Sequence, residues 1–135
     1  MSSLGFAAAT SRASLDAKFR GVSYGGNAAV WVQLHTAVPG AAGTTAVATN
    51  NTRHQVTFAA ASSSGTTATI ANSAAIVWST SEVTASEDYS HFSLWTASTA
   101  GTFLGSGLLT ANPASAGNTF TIAIGALVCS ENVAS

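Results

Sequence analysis

A chain of 135 residues with four Lys or Arg and five Asp or Glu has a formal net charge of −1 and only 7% charged residues, against about 25% in an average soluble domain. It has no basic footprint for nucleic acid, little electrostatic steering, and the length of one domain, 1–135. Whatever it contacts is expected to be held by apolar and backbone groups, with weak salt dependence.

Leu, Ile, Val and Phe together make only 28 of the 135 residues, so the 47% apolar fraction leans on Ala. Ala buries little area, and each Å² removed from water contributes only about 25 cal/mol. A thin core stiffened by three Trp and six Phe is expected, with neighbouring subunits completing its stability as a homo-oligomer. The low net charge argues against disorder. Cys129, the one cysteine, makes no intrachain disulfide and reads as a small buried residue of the last strand. No charged segment followed by an apolar stretch opens the chain, and no apolar run approaches ~18 residues, so neither a signal peptide nor membrane insertion is expected.

The first element is a helix over Ser11 to Arg20. Leu15 and Phe19 sit four apart, Ser11 or Ser14 can cap, and Gly21 follows as a stop, with Leu4 and Ala8 extending the stripe. Its apolar stripe admits two readings, a lid over one end of a sheet or a docking peg for a neighbouring subunit. After a Gly-rich loop, Ala28 to His35 is a strand with Val30, Val32 and Leu34 on one face and Trp31, Gln33 and His35 on the other. Pro39-Gly40 is a turn, and Gly43 to Asn51 is an uncharged Thr/Ala/Asn loop suited to contact. Arg53 to Ala60 is a strand with Val56 and Phe58 inward, followed by a turn at Ser62 to Gly65. Thr66 to Ala71 and Ala74 to Trp78 are short strands broken at Asn72-Ser73. Ser79 to Asp88 holds three of the five acidic residues and reads as an exposed connection.

His91 to Trp95 and Thr102 to Gly107 form the central hairpin. Phe92 and Leu94 face one way, His91, Ser93 and Trp95 the other. Gly105 and Gly107 thin one face of the second strand so that a backbone or a large ring lies close, Trp95 being the expected ring. Thr119 to Ile124, with Phe120, Ile122 and Ile124 on one face, and Ala126 to Cys129 close the chain. The expected fold is mainly β, an antiparallel β-sandwich of about seven or eight short strands over 28–129, with an N-terminal arm and short helix over 1–21.

Five segments carry a family resemblance by their order: Leu34-His35-Thr36-Ala37-Val38-Pro39-Gly40, Arg53-His54-Gln55-Val56-Thr57-Phe58, His91-Phe92-Ser93-Leu94-Trp95, Gly101-Thr102-Phe103-Leu104-Gly105, and Gly117-Asn118-Thr119-Phe120-Thr121-Ile122. This succession, from about Ser14 to Val128, resembles small tail-fibre-type virion proteins of tailed phages infecting actinobacteria. Val38 stands where that pattern has an acidic residue, Thr96-Ala97 replaces Asp-Ala, and Asn118 replaces Asp. These losses matter if the family's carboxylates bind a cation, whereas Asn118 keeps the turn chemistry and with it the expected fold. The resemblance implies a virion location after assembly in the host cytoplasm.

Catalytic patterns are sparse. Gly105-Ser106-Gly107 lacks the full nucleophile elbow and lies within a strand. His35, His54 and His91 have no second ligand at metal spacing, and Glu87-Asp88 lacks an EF-hand context. No phosphate loop or dinucleotide fingerprint is present, and no cofactor is expected. Trp31, Trp78 and Trp95 are expected in the core or at an interface. With no catalytic constellation in view, the resemblance implies as first expectation a non-enzymatic structural protein that works by protein-protein assembly with other virion proteins, in a tail fibre or tip or as a capsid decoration. The alternative is a module binding host-surface glycan, with Trp31, His35, His91 and Trp95 as the interface or glycan contacts.

Overall fold

The computed structural model describes residues 4–109 and 113–134; Met1 to Ser3 of the expected arm lie outside the described residues. The chain begins with a two-residue strand β1 (Gly5–Phe6) and helix α1 (Ala8–Arg20). Strands β2 (Val30–His35), β3 (His54–Val56), β4 (Ser62–Ser64), β5 (Thr67–Ala71) and β6 (Ile76–Trp78) follow. Then come β7 (Glu87–Asp88), β8 (His91–Trp95), β9 (Phe103–Leu108), β10 (Pro113–Ala114), β11 (Phe120–Ile122) and β12 (Val128–Asn132). The mainly β, antiparallel architecture expected from the turn spacing is observed, with twelve strands among the described residues where seven or eight were expected. The additional ones are two- and three-residue pairs too short to leave a periodic signature.

The largest sheet has the order β1-β9-β8-β2-β3, and every neighbour pair is antiparallel. Its inner face presents Val32, Leu34, Phe92 and Leu94 to the core. Opposing them is the β6-β11 ribbon, in which Trp78 stands opposite Phe120 and Ile76 opposite Ile122. All four are buried, and Val77 between them is exposed, as strand alternation requires. A third sheet, β12-β5-β4, lies beside β1 and β9, and β7 pairs with β10.

Gly107 stands opposite Phe92, and a Cβ on it would lie 2.4 Å from Phe92 Cζ. The large ring fitted against that glycine is therefore Phe92, not Trp95, which lies on the other face of the sheet. Gly105 admits backbone instead, with Gly5 O 3.1 Å from its virtual Cβ. Between Leu94 and Trp95 the β8-β9 register shifts, so that Phe103 stands opposite Trp95 and Leu104 is the extra residue. This bulge carries Phe103 to the outer face and lets Leu104 pack on the core.

The break at Asn72 has a clear cause. Its Nδ2 donates to the carbonyls of Ala74 and Ala123 at 2.9 Å each, and its Oδ1 accepts the N–H of Leu127 at 2.9 Å. One side chain with 2% exposure thus ties the β5-β6 turn to the β11-β12 turn. Gly125 (φ 79) bends the chain within that second turn and leaves Ile124 exposed rather than in the core. The Ser62 to Gly65 segment, expected as a turn, places Ser62–Ser64 in β4, and the reversal falls after Ser64. The Ser79 to Asp88 connection is not wholly exposed, since Val83 is fully buried within it.

Helix α1 starts at Ala8, earlier than the Ser caps suggested, and Ala7 makes no side-chain cap. The N–H of Ala7 instead bonds Leu104 O at 2.8 Å. Gly21 ends the helix in the left-handed conformation (φ 66), as expected of a C-terminal glycine. None of the helix residues is buried.

Candidate functional site

The outer face of the central sheet gathers the four residues singled out in the sequence. Trp31 stands opposite Trp95, Gln33 opposite Ser93 and His35 opposite His91, the three alternate rungs of the β2-β8 pairing that share this face. The face is not open. Residues 36–53 fold back across it: Ala48 N–H bonds Leu34 O at 3.1 Å, Thr36 N–H bonds Ala46 O at 3.0 Å, and Val47 bridges to His35. Gly43 (φ 72) lies so close to Phe103 that a Cβ there would be 2.4 Å from the ring. The uncharged loop is thus partly a lid, and its residues Gly43, Ala48 and Asn50 are buried.

Under this lid the hydrogen bonds form a directed chain. His35 Nδ1 is 2.8 Å from the carbonyl of Thr45, which can only accept, so Nδ1 carries the proton and Nε2 is an acceptor. Ser93 Oγ, 2.7 Å away, donates to that Nε2 and accepts the indole N–H of Trp95, also at 2.7 Å. Burial lowers the His35 pKa, with the charges of His91 and Arg53 acting in the same direction and the Thr45 carbonyl against them. A neutral imidazole with both nitrogens satisfied is the result.

Arg53 closes the other end. Its guanidinium lies 4.1 Å above the Trp95 ring and donates to Gln33 Oε1 (3.2 Å), Ala97 O (3.0 Å) and Ala100 O (2.7 Å). Stacking and a planar fork of donors suit Arg and not Lys. This clasp joins the start of β3 to the β8-β9 turn. Sequence reasoning missed it because Arg53 and Trp95 are 42 positions apart, and the signal available was only that Arg53 opens one of the five ordered segments.

The singled-out residues therefore divide. His35 and Trp95 are buried at 0% and 7% exposure, while Trp31 and His91 stay partly exposed. A Ser-His contact that suggests a nucleophile and base is sealed from solvent, since Ser93 and His35 both have 0% exposure and Ser93 Oγ already binds Trp95. Ser106, in β9, pairs with Gly5 and Ser93 across the sheet. His54 lies on the opposite, inner face, with its ring 5.0 Å edge-on to Trp78 and Nε2 2.6 Å from Glu82 Oε2. The sheet thus brings His35 and His91 together and keeps His54 away.

Among the described residues no three His, Cys, Asp or Glu side chains converge as a metal site. The carboxylate of Glu87 accepts the backbone N–H groups of Thr49 and Asn50 at 2.9 and 3.4 Å, which pins the lid loop to β7. Cys129, half-buried opposite Ile70, has its thiol pushed up to about 11 by burial. No helix of the described residues is long and apolar enough to cross a membrane.

No curated protein matches the chain. A protein family described as podophage GP4 fiber I protein gp80 matches residues 5–130. That span runs from β1 into β12 and includes the outer face, its lid and the Arg53 clasp, and the chain belongs to this family of phage fibre proteins.

Proposed function

We propose that this structural tail-fibre component works by protein-protein assembly at the surface of the virion, with no chemistry of its own. The observation that carries the reading is the contrast between a buried, satisfied Ser93-His35 pair and an unsealed N-terminal arm. The Ser93-His35 pair is satisfied and inaccessible, whereas Leu4, Phe6, Leu15, Phe19, Val22 and Tyr24 all stand exposed. Large apolar side chains grouped on one segment are the usual mark of a surface covered by a partner. The expected partners are other virion proteins and further copies of the chain. The order of five short segments supports a phage of actinobacteria as its source.

Copy number per virion, by quantitative mass spectrometry against the major capsid protein, tests this. A handful to a few dozen copies is the expected result for a fibre or tip component. Hundreds of copies would overturn it in favour of a capsid decoration.

A second reading, contact with host-surface glycan, rests on the partial exposure of Trp31 and His91; the covered rings of Trp95 and His35 offer no stacking face. It predicts that Trp31→Ala abolishes binding of the particle to host cells while the virion still assembles. Undiminished binding would remove it.

A further inference from the structure

We propose that the N-terminal helix of one copy docks on the acidic end of the central sheet of a second copy, so that the chain associates head to tail. The proposal rests on the assembly reading above and names both halves of the contact.

The donor half is α1. A 13-residue helix is marginal by itself in water and is ordinarily held by burying an apolar face. Here that face is bare: Leu15 is 54% and Phe19 80% exposed. Arg12, Leu15 and Phe19 fall at i, i+3 and i+7, one stripe of the helix. Within its own chain the helix is held by the Ala7 to Leu104 hydrogen bond, the two-residue β1 pairing, and an exposed Lys18-Glu131 contact at 3.7 Å.

Charge is segregated between the helix and the rest of the chain. Arg12, Lys18 and Arg20 are three of the four cationic side chains, and with Asp16 they give the helix a net +2. The remainder carries Arg53 against Glu82, Glu87, Asp88 and Glu131, a net −3. Within the chain Arg20 pairs with Asp16 at 3.1 Å and Lys18 with Glu131 at 3.7 Å, so Arg12, on the Leu15 and Phe19 stripe, is the helix cation left to meet the acidic end of a second copy. Exposed charge pairs contribute only ~0–1 kcal/mol each, so Leu15 and Phe19 supply affinity and the charges set direction and association rate. Weak salt dependence of affinity is thereby retained.

The acceptor half is the end of the sheet where β8 begins. Asp88 is exposed and Glu87 half-exposed. Two apolar side chains border them: Leu108, 64% exposed and opposite His91, and Val47, 38% exposed and bridged to His35. The helix departs from the other end of β9, at Leu104. Leu104 and Leu108 are about 13 Å apart at the ~3.3 Å rise of a strand. Two unlike patches at opposite ends of a sheet meet between copies as a heterologous contact, which extends or closes a ring and does not stop at an isologous dimer.

The test uses two variants of the full chain, Leu15→Ser with Phe19→Ser on the donor and Asp88→Arg with Leu108→Ser on the acceptor. All four positions are exposed, and unchanged thermal melts establish that both variants fold. Sedimentation velocity is expected to show concentration-dependent oligomers for the unaltered chain and monomers for each variant alone. An equimolar mixture is expected to give a one-to-one heterodimer and nothing larger, because only one donor and one acceptor remain. A donor variant that associates like the unaltered chain overturns the proposal. So does an acceptor variant that still associates, which would indicate helix-helix contact, and so do two monomeric variants that fail to complement. An unaltered chain monomeric at all concentrations overturns self-docking but leaves the virion role standing, since that is read independently from copy number.

Discussion

His35 and Ser93 meet across adjacent strands with Nε2 2.7 Å from Oγ, both fully buried beneath the loop that follows β2. The contact is structural because each atom has a second commitment: the ring to Thr45 O, the hydroxyl to the Trp95 indole. Removing the hydroxyl leaves His35 Nε2 and Trp95 Nε1 unpaired where water does not reach. Ser93→Ala is expected to destabilise the fold by about 1–3 kcal/mol, the usual cost of orphaned buried polar groups. Urea denaturation measures it, and a midpoint within error of the parent would contradict the closed network.

Stability is expected to fall with acidification. The folded pKa of His35 lies below its unfolded value of 6.5. Its stabilisation is thus fully present above pH 6.5 and is lost as pH falls through the folded value, because the unfolded chain takes up the proton first. At lower pH Glu82 adds to the loss. Burial raises its pKa, but the bonds from His54 and Ser79 outweigh that and leave it below 4.5, so its contribution is lost as pH falls through its own folded value. Thermal melts from pH 8 to pH 4 should show a descending midpoint. A flat profile down to pH 5 would show that His35 titrates as freely in the folded chain as in the unfolded one.

Asn72→Ala removes three hydrogen bonds from one buried site and strands the Leu127 N–H and two carbonyls. A loss of about 2–4 kcal/mol is expected, given ~1 kcal/mol per bond and more for groups left unpaired. Asn72→Asp, which sets a buried carboxylate oxygen against the Ala74 and Ala123 carbonyls, should cost at least as much at neutral pH. The adjacent exposed Ser73, whose hydroxyl makes a 3.2 Å bond to Thr57 O, serves as a control with an expected change near ~0.5 kcal/mol.

Gly107→Ala tests the close approach of Phe92. The new methyl would lie 2.4 Å from the ring, and overpacking a filled core costs about 1–3 kcal/mol. Combining it with Phe92→Leu should restore part of the loss by making room. If the double variant is simply the sum of the two single ones, the contact is not what limits the site.

Where period and turn chemistry act over a few residues, the sequence was legible. The alternation of Val32, Leu34, Phe92 and Leu94 determined the inner face, Gly21 the helix stop, and Asn72-Ser73 the strand break. What alternation could not decide was what covers each face. Trp31, Gln33 and His35 have the pattern of a half-polar outer face, and only the folded-back loop makes His35 and Gln33 buried. Its anchors are pairwise and distant: Thr45 to His35, Glu87 to the Thr49 N–H, Arg53 to Trp95. The same holds for the bulge that moves Phe103 onto Trp95 and for the glycine that receives Phe92 and not Trp95. Local propensity and periodicity belong to the chain before it folds; partners far apart in sequence are selected by closure of the tertiary structure, where leaving a buried donor or acceptor unpaired costs stability.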